Sequence, residues 1–556
     1  MITALPPLPA IGRIARACVW GALVYWGIYA LVAPVTTIDS QMYNLARLEL
    51  AMRGGLFDND YFTSVFHVIF PWTFDAVHLP FLFAGWGYAL PSFLCLAGTC
   101  YVVQRMMRAR FGEDAAWMAV LGLLALPCLV YQAVGTKNDI AMLFAGALWI
   151  YARWRWRREK SSWHLVWMAL AVGFMTGAKT PGLLYGAVLS LWTLWELRHD
   201  RRLSLRFLGG LTGVLLLFGS VETYVESARL FGHPLGPPPL LHRLANHDGV
   251  RGGIANFLRH VAGSVYVGPT DFSDGQRAVS RLNDATRWVL AHTGLTDAGT
   301  DPRFPDRTLF LTQSGMEELS GFGPLGTLAM AAMLCAGLRW RPKAVWWRLG
   351  AAALFGLILT SLTVGYTCWT NRYLISWYAL GIIATACALW ETNYSWRRSA
   401  HWSFLALAAV SAFAAPWLSF NRGPSAVIAA LRDRENLETS ANPVTGKLRE
   451  HLRRLKTQSP RSRIILVVTD ESTILPLVED RSLAVIAVTK VIFHRLALRG
   501  QLASGDLVVQ ESPTDSPALA LVEEVTAPNV YSYHQTHTRY IYRIVAPFTS
   551  APPISS

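Results

Sequence analysis

The sequence predicts a polytopic α-helical membrane protein of about eleven transmembrane helices, with a small extracytoplasmic α/β domain at the C-terminal end. The 556 residues are 53% hydrophobic and only 15% charged, with a mean hydropathy of +0.30, whereas about a quarter of the residues of a typical soluble domain are charged. Many runs of about 17–25 residues carry almost no charge, which is enough to cross about 30 Å of hydrocarbon. Arg- and Lys-rich linkers between these runs alternate with linkers that are poor in both, as expected for a chain that crosses a membrane repeatedly.

The apolar runs give the predicted spans in chain order. They lie near residues 14–35, 76–103, 115–133, 139–153, 163–178, 182–197, 206–226, 324–338, 346–366, 373–390 and 401–420. Residues 163–197 are divided in two because a single helix there would be about 50 Å long, and the turn signal K-T-P-G interrupts the run.

The basic linkers predict the orientation. Eleven spans place every Arg-rich linker on the cytoplasmic side, together with Arg13 and Arg16 ahead of the first span. The first span is read as retained, and the C-terminal region lies outside. The net charge of +14 is thereby explained by membrane orientation, and no nucleic-acid partner is predicted.

Two domains are predicted. Residues 1–423 form the transmembrane domain, which includes an outer juxtamembrane segment at 36–75 and an outer loop at 227–323. Residues 424–556 form the α/β domain and tail, because short apolar runs typical of strands follow an amphipathic helix. The helix is expected at 444–456, and the strands at 463–469, 482–488 and 506–510.

The juxtamembrane segment follows the first span directly. The stretch S-Q-M-Y-N-L-A-R-L-E-L-A-M-R places apolar residues on one helical face, so an amphipathic helix is predicted. Asp39 or Ser40 is a candidate N-cap, and the glycine pair at 54–55 is expected to end the helix.

Ionisable residues recur at the outer ends of the predicted spans. Charges at membrane depth are costly and tend to face a protein interior or a water-filled site. Each also has an ordinary structural explanation, as a helix cap or a side chain that reaches toward the headgroups. Taken together they predict one crevice open to the outer face. The members are Asp39, Asp139, Lys179, Glu222, Glu226, Glu317, Glu318 and Arg372.

Four short motifs in this order resemble the GT-C superfamily of polyprenyl-phosphate-sugar-dependent glycosyltransferases, which includes protein O-mannosyltransferases and lipid A aminoarabinose transferases. They are T-I-D-S-Q-M-Y after the first span, K-N-D-I-A at the start of the fourth, G-A-K-T-P-G after the fifth, and N-R-Y-L-I-S-W-Y opening the tenth. The resemblance covers roughly residues 10–420. One departure is the D-S pair, where many members carry a second acid beside the first.

The resemblance implies the chemistry. It implies an undecaprenyl-phosphate sugar as donor, a lipid, glycan or protein as acceptor, and a bacterial plasma membrane as location. Asp39 would be the base of an inverting displacement, and Asp139 would orient hydroxyl groups or hold a divalent ion. A divalent metal is left open, and no other cofactor is predicted. The expected substrate-binding residues are Lys179, Arg372, Tyr373, Tyr43, Glu222, Glu317 and Glu318, with Lys179 and Arg372 on the donor phosphate.

Other classes remain open at this point. A transporter or flippase of lipid-linked substrates fits the hydropathy, although transporters often show internal repeats that are not evident here. A glycan polymerase or ligase that uses a pyrophosphate-linked donor is the nearest enzymatic alternative. A non-catalytic assembly or sensor protein is the third. His67 and His78, beside an aromatic segment, are read as packing residues and not as metal ligands.

Overall fold

The structure is a computed structural model, and helices make up most of what it describes. The described residues are 9–37, 39–54, 65–267, 273–300, 310, 320–367, 369–391, 397–418, 423–435, 442–467, 474–529 and 532–548.

The helices of the first half are α1 (Pro9–Val32), α2 (Leu45–Gly54), α3 (Val65–Ile69), α4 (Thr73–Ala76), α5 (Leu79–Ala84), α6 (Leu90–Phe111), α7 (Glu113–Leu124), α8 (Pro127–Ala133), α9 (Asn138–Glu159), α10 (Trp163–Ala178), α11 (Pro181–Leu197), α12 (Arg201–Phe218) and α13 (Val221–Phe231). The next group is α14 (Pro238–Leu244), α15 (Gly249–Gly263), α16 (Ser273–His292), α17 (Gly323–Leu338), α18 (Val345–Thr363), α19 (Ile375–Glu391) and α20 (Arg397–Leu418). A π-helical turn, Ser40–Asn44, runs into α2, and a 3₁₀ turn, Thr370–Leu374, runs into α19.

Each of the eleven predicted spans overlaps at least one of these helices. Within the described part of the chain, four helices are long and apolar enough to cross a membrane, or six if each of two bent pairs is one crossing. These findings agree with a polytopic membrane protein. The number eleven and the orientation of the chain stay predictions.

The span predicted at 115–133 is not one straight helix. The axes of α7 and α8 differ by 76°. Leu126 between them is extended, because the residue before a proline is disfavoured in the helical region, and Pro127 then begins α8. The bend turns the chain inward, so that the loop after α8 enters the protein interior.

The spans predicted at 76–103 and 206–226 are broken as well. Between α5 and α6 the chain reverses through Gly85, whose φ of 75° suits glycine. Between α12 and α13 the bend is 64°, and Ser220 has a φ of 50°. The Ser220 hydroxyl oxygen accepts hydrogen bonds from the amides of Trp72 at 2.9 Å and Thr73 at 3.1 Å, which joins this bend to α4.

The segment after α1 differs from the expected surface helix. Residues 40–51 are buried on all sides, and α2 packs against α4, α5 and a short helix of the C-terminal domain, Leu475–Val478. Asp39 precedes the π-helical turn, but its side chain makes no capping hydrogen bond. The predicted cap is therefore wrong for Asp39. Gly54 is the last residue described in this part of the chain, so the predicted end of the helix at the glycine pair stays a prediction.

A buried ion pair fixes this segment. Arg47 and Asp75 are each 1% exposed and contact each other. Arg47 also donates to the carbonyl oxygens of His67 at 3.2 Å and Pro71 at 2.9 Å, and its guanidinium lies 4.1 Å from the centre of the Trp72 ring. The pair ties α2 to the chain that enters α4.

The C-terminal domain is built on one five-stranded sheet. Its strands are β1 (Ile464–Val467), β2 (Val485–Val488), β3 (Leu507–Gln510), β4 (Leu519–Asn529) and β5 (Ser532–Ile544), in the order β2-β1-β3-β5-β4. The first three are parallel, and β5 joins β3 and β4 antiparallel. Three strands lie where they were predicted, whereas the β4–β5 hairpin was not predicted. The helices of this region are Pro424–Arg432, Pro443–Gln458, Leu475–Val478 and Lys490–Leu498.

The sheet domain rests on the segment that follows α1. The helix Leu475–Val478 packs against both α2 and the π-helical turn. Asn442 donates to the side-chain oxygen of Gln41 at 3.4 Å, and the Tyr88 hydroxyl donates to Glu479. The C-terminal domain thus supports the segment that carries Asp39.

The Arg47–Asp75 pair gives a stability prediction. Arg47→Met leaves a buried carboxylate without its cation, so it is expected to lower the free energy of unfolding by about 3–5 kcal/mol. Hydrogen exchange of the amides of residues 40–54 in detergent should then speed up. Arg47→Met with Asp75→Leu should recover much of the loss. The matched control is Arg229→Met, since Arg229 is 74% exposed beside Glu226. Equal exchange in Arg47→Met and Arg229→Met would contradict the prediction.

Candidate functional site

The Asp39 carboxylate lies between two cations. The Lys137 ammonium is 2.5 Å from Asp39 Oδ2, and the Arg372 guanidinium donates to the same oxygen. The side chains of Asp39 and Arg372 are 13% and 12% exposed, while that of Lys137 is 3% exposed. The single Asp39 carboxylate is therefore paired with two cations that come from distant parts of the sequence.

These two charges keep Asp39 ionised. Burial by itself would raise the pKa of the Asp39 carboxyl, but the charges of Arg372 and Lys137, with hydrogen bonds from Lys137 and Tyr43, outweigh it and hold the pKa well below the usual range. A carboxylate stabilised in this way is fully ionised at neutral pH and holds a proton weakly.

A second ion pair lies on the other side of an aromatic ring. Lys179 Nζ is 2.5 Å from Asp139 Oδ1 and 4.6 Å from the centre of the Tyr373 ring. The guanidinium carbon of Arg372 is 5.4 Å from the same ring centre, within the range of cation–π attraction. The contacts therefore run without a gap from Asp39 to Asp139. We call this set the charge cluster; it consists of Asp39, Lys137, Asp139, Lys179, Arg372 and Tyr373.

The loop before α9 is joined to the residues on either side of Asp39. The Ser40 hydroxyl contacts the Thr136 hydroxyl at 2.6 Å and accepts from the Thr136 amide at 3.2 Å. Ser40 also contacts Thr37 at 2.5 Å. A side chain on Gly135 would meet Thr37 at 3.2 Å, so the two segments approach closely. Lys137 and Asp39 are thus held in one framework.

Asn138 extends this framework to the Lys179 turn. Its amide donates to the carbonyl oxygen of Ala178 at 2.7 Å. The Asn44 amide approaches its side-chain oxygen at 3.3 Å and donates to Asp75 at 3.0 Å. Asn138 therefore connects the K-N-D motif to the G-A-K motif. Asn44 connects the segment after Asp39 both to Asn138 and to the buried Arg47–Asp75 pair.

The glycines around Lys179 have a packing reason. A Cβ on Gly177 would collide with the carbonyl oxygen of Phe218, and one on Gly182 would collide with that of Met175. Glycine at both positions lets α10 and α11 close around the turn. Lys179 itself is extended between them, which projects its side chain out of the helix pair.

Arg372 lies in the 3₁₀ turn that precedes α19. The Thr370 hydroxyl accepts from the Thr367 amide at 2.8 Å and shapes the turn. Asn371 is buried against Gly263 at the end of α15, where a Cβ would be 3.0 Å from its side-chain oxygen. The loop predicted at 227–323 therefore contacts the turn that presents Arg372.

The remaining sequence-predicted residues lie in different places. Tyr43 bonds to Asp39, and its ring packs on Phe70 at a centroid distance of 5.3 Å. Glu222 is exposed on α13, and its charge acts on the buried Arg47. Glu317 and Glu318 lie outside the described residues.

Lys137 is the residue that the sequence analysis missed. It stands two positions before Asp139 in the K-N-D-I-A motif, of which only the acid was singled out. A lysine inside an apolar stretch, directly before a helix, was the available signal. Its partner is fixed only by the fold, because Asp39 lies ninety-eight positions earlier in the chain.

The described side chains do not form a metal centre. Among them, no group of three His, Cys, Asp or Glu residues is placed to hold an ion, and Asp39 and Asp139 each contact an ammonium group. His67 is fully buried with its Nε2 2.9 Å from the Met42 carbonyl oxygen, and burial lowers its pKa to about 3. His78 is also fully buried, and its Nδ1 is 3.0 Å from the Phe74 carbonyl oxygen.

The charge cluster contains one cation more than it has carboxylates. Lys137, Lys179 and Arg372 face Asp39 and Asp139, so the ionised cluster carries one net positive charge. An isolated charge in a partly buried site is unfavourable, and a bound anion would compensate it. Arginine and lysine are the side chains that proteins use for phosphate.

Part of the chain, including members of the charge cluster, matches a known family. Residues 68–222, which contain Lys137, Asp139 and Lys179, match the family model described as dolichyl-phosphate-mannose-protein mannosyltransferase. A sequence search among curated proteins finds no match.

The fold is similar to that of a solved protein, ArnT. The crystal structure of ArnT from Cupriavidus metallidurans bound to undecaprenyl phosphate aligns with a TM-score of 0.50 at 16% sequence identity, over 97% of this chain and 99% of that chain. The apo form of the same protein aligns with a TM-score of 0.44 at 17% identity, over 95% and 97% of the two chains. The chain is thus similar to a mannosyltransferase family over residues 68–222 and similar to ArnT in its fold.

Proposed function

We propose that the chain transfers a sugar from a polyprenyl-phosphate donor to an acceptor at the outer face of the membrane. The observation that carries the proposal is the charge cluster, which has one cation in excess at one end of a bundle of apolar helices. A polyprenyl-phosphate sugar is a phosphodiester with one negative charge, which matches that excess. The ArnT structure with undecaprenyl phosphate supports this donor class.

Arg372 and Lys179 are the proposed phosphate ligands. Their side chains are 12% and 15% exposed, so both can meet an incoming headgroup. Both also lie against the Tyr373 ring, which fixes their separation. As the bond between the anomeric carbon and the phosphate oxygen breaks, the leaving phosphate gains negative charge. Cations already in place stabilise that charge in the transition state.

Asp39 is the proposed base. It would take the proton of the acceptor hydroxyl while the acceptor oxygen attacks the anomeric carbon and the phosphate departs on the opposite face. A single displacement of this kind inverts the anomeric centre. The acceptor proton ends on Asp39, and the electron pair of the broken bond stays on the phosphate.

Asp139 has a different proposed role. Its carboxylate contacts Lys179 at 2.5 Å, so it would orient that ammonium toward the phosphate. This replaces the role of orienting hydroxyl groups that the sequence suggested. Tyr43 and Tyr373 would border the donor, since each contacts a member of the cluster.

The location and domain roles complete the proposal. The cluster would face the extracytoplasmic side of a bacterial plasma membrane, with the N-terminus in the cytoplasm and a lipid, glycan or protein as acceptor. Residues 1–423 would form the catalytic domain, and residues 424–556 would shape access of the acceptor, because the sheet domain packs on the segment that carries Asp39.

The direct test is an assay of the purified full chain in detergent. With a panel of undecaprenyl-phosphate hexoses and pentoses, it should consume a donor and release undecaprenyl phosphate. Asp39→Asn should lower kcat by about 100-fold or more, in the range of a lost general base, without weakening donor binding. Glu226→Gln, another acid after a predicted span, is the matched control and should turn over normally. The proposal fails if the wild type neither binds nor consumes any member of the panel, and Asp39 is not the base if Asp39→Asn turns over normally.

The two phosphate ligands predict a loss of donor affinity. Lys179→Ala and Arg372→Ala should each raise the Kd for undecaprenyl phosphate, the phosphate-bearing part of the donor, by about 10–100-fold, because a hydrogen bond to a charged group contributes about 1.5–3 kcal/mol. Isothermal titration with undecaprenyl phosphate measures this change. Arg339→Ala is the control. Arg339 lies in a basic linker that is predicted to face the cytoplasm, so this variant should bind as the wild type does. Unchanged binding in both cluster variants would remove them from the phosphate site.

The electrostatics of Asp39 predict the pH dependence. Since its pKa is lowered, the carboxylate form persists as the pH falls and is lost only at the lowered value. The acid limb of kcat/KM, which reports the free enzyme, should therefore lie below the ordinary aspartate pKa of about 3.9. Lys137→Met removes one of the two cations and should move that limb upward. A wild-type acid limb near pH 6 would show that another group is the base.

A further inference from the structure

The two cations on Asp39 differ in kind. We propose that the donor phosphate takes Arg372 from Asp39 while Lys137 stays in place, so that Lys137 is a positioning residue for the base and not a phosphate ligand. This inference rests on the proposed function. It adds that binding of the donor makes Asp39 a stronger base.

Exposure separates the three cations. The Lys137 side chain is 3% exposed, against 12% for Arg372 and 15% for Lys179. A headgroup that enters from the open side can reach Arg372 and Lys179. The Lys137 side chain is enclosed by the protein and contacts Asp39, so it would act on the phosphate through the carboxylate.

The mounting of the two partners also differs. Lys137 stands between Thr136 and Asn138, and both neighbours bond to the segment that carries Asp39, through Ser40 and Asn44. These contacts hold the ammonium and the carboxylate in one framework. Arg372 comes from the separate 3₁₀ turn before α19, so it can change its partner without disturbing that framework.

The charge balance favours exchange at Arg372. If Lys179 left Asp139, a buried carboxylate would lose the one cation that contacts it among the described residues, which is strongly unfavourable. If Arg372 leaves Asp39, the carboxylate keeps Lys137 at 2.5 Å. Arg372 meanwhile exchanges the Asp39 carboxylate for the donor phosphate, so its positive charge is paired with an anion before and after the exchange.

The exchange has a chemical consequence. With two cations, Asp39 holds a proton weakly and is a poor base. With Lys137 alone it is a stronger one, and it remains correctly oriented. Proton removal from an acceptor, or from water, is thus promoted only when a donor phosphate has engaged Arg372.

A double-mutant cycle on undecaprenyl phosphate binding tests this inference in the full chain. In the wild-type background, Lys137→Met should weaken binding by about 10-fold, because release of Arg372 would leave Asp39 without a cation. In the Asp39→Asn background the same change should alter binding by less than about threefold. Asp39→Asn alone should bind about 10-fold more tightly, since Arg372 has lost its competing anion. Lys137→Arg, which keeps the charge, should bind as the wild type does.

Each outcome has one meaning. If Lys137→Met weakens binding equally in both backgrounds, Lys137 contacts the phosphate and the inference is wrong. If it weakens binding in neither background, Arg372 does not exchange and the inference is also wrong. Tight binding by the double variant shows that Lys137→Met chains fold, and Lys137→Gln repeats the cycle if the Met variant is not recovered. A wild type that fails to bind undecaprenyl phosphate overturns the proposed function itself, which separates the two failures.

Discussion

The site depends on one carboxylate, Asp39, that contacts two cations, the buried Lys137 and the partly exposed Arg372. Asp39 lies where an apolar span ends, and an ionised group there requires compensation. Lys137 and Arg372 together carry two positive charges against the one negative charge of Asp39. Arg372 and Lys179 both contact the Tyr373 ring, which connects Asp39 to the Lys179–Asp139 pair. A cluster with one net positive charge is suited to a singly charged anion that binds and is released. Tight neutral pairing would exclude the phosphate, and several bare cations would retain it.

The fold serves to hold these charges at fixed positions. The 76° bend between α7 and α8 directs the loop with Lys137 into the interior. The buried Arg47–Asp75 pair anchors the helix that follows Asp39, and Asn44 links that pair to Asn138. The helix Leu475–Val478 of the sheet domain packs against α2 and the π-helical turn, and so supports the same segment. Rigid mounting of this kind keeps catalytic groups within a fraction of an ångström of productive geometry, while Arg372 is attached through a separate turn.

The sequence predicts the helical runs and the acids at their ends because hydropathy and charge are local properties. It could not predict that Lys137 contacts Asp39, since that contact depends on the path of the loop after α8. The helix after Asp39 shows a related limit: its pattern reads as amphipathic, but Arg47 on the polar face is buried against Asp75, so a tertiary ion pair overrides the expected exposure. The β4–β5 hairpin was missed because its strands mix charged and apolar residues, and pairing along the sheet stabilises them more than their own preferences do.

The most direct test of this account is an experimental structure of the full chain with undecaprenyl phosphate bound in a lipid nanodisc. The account predicts that the Arg372 guanidinium contacts the phosphate, that Lys179 contacts it from the far side of the Tyr373 ring, and that Lys137 still contacts Asp39. A phosphate seated on Lys137, or an Arg372 that remains on Asp39 with the lipid headgroup elsewhere, would contradict it.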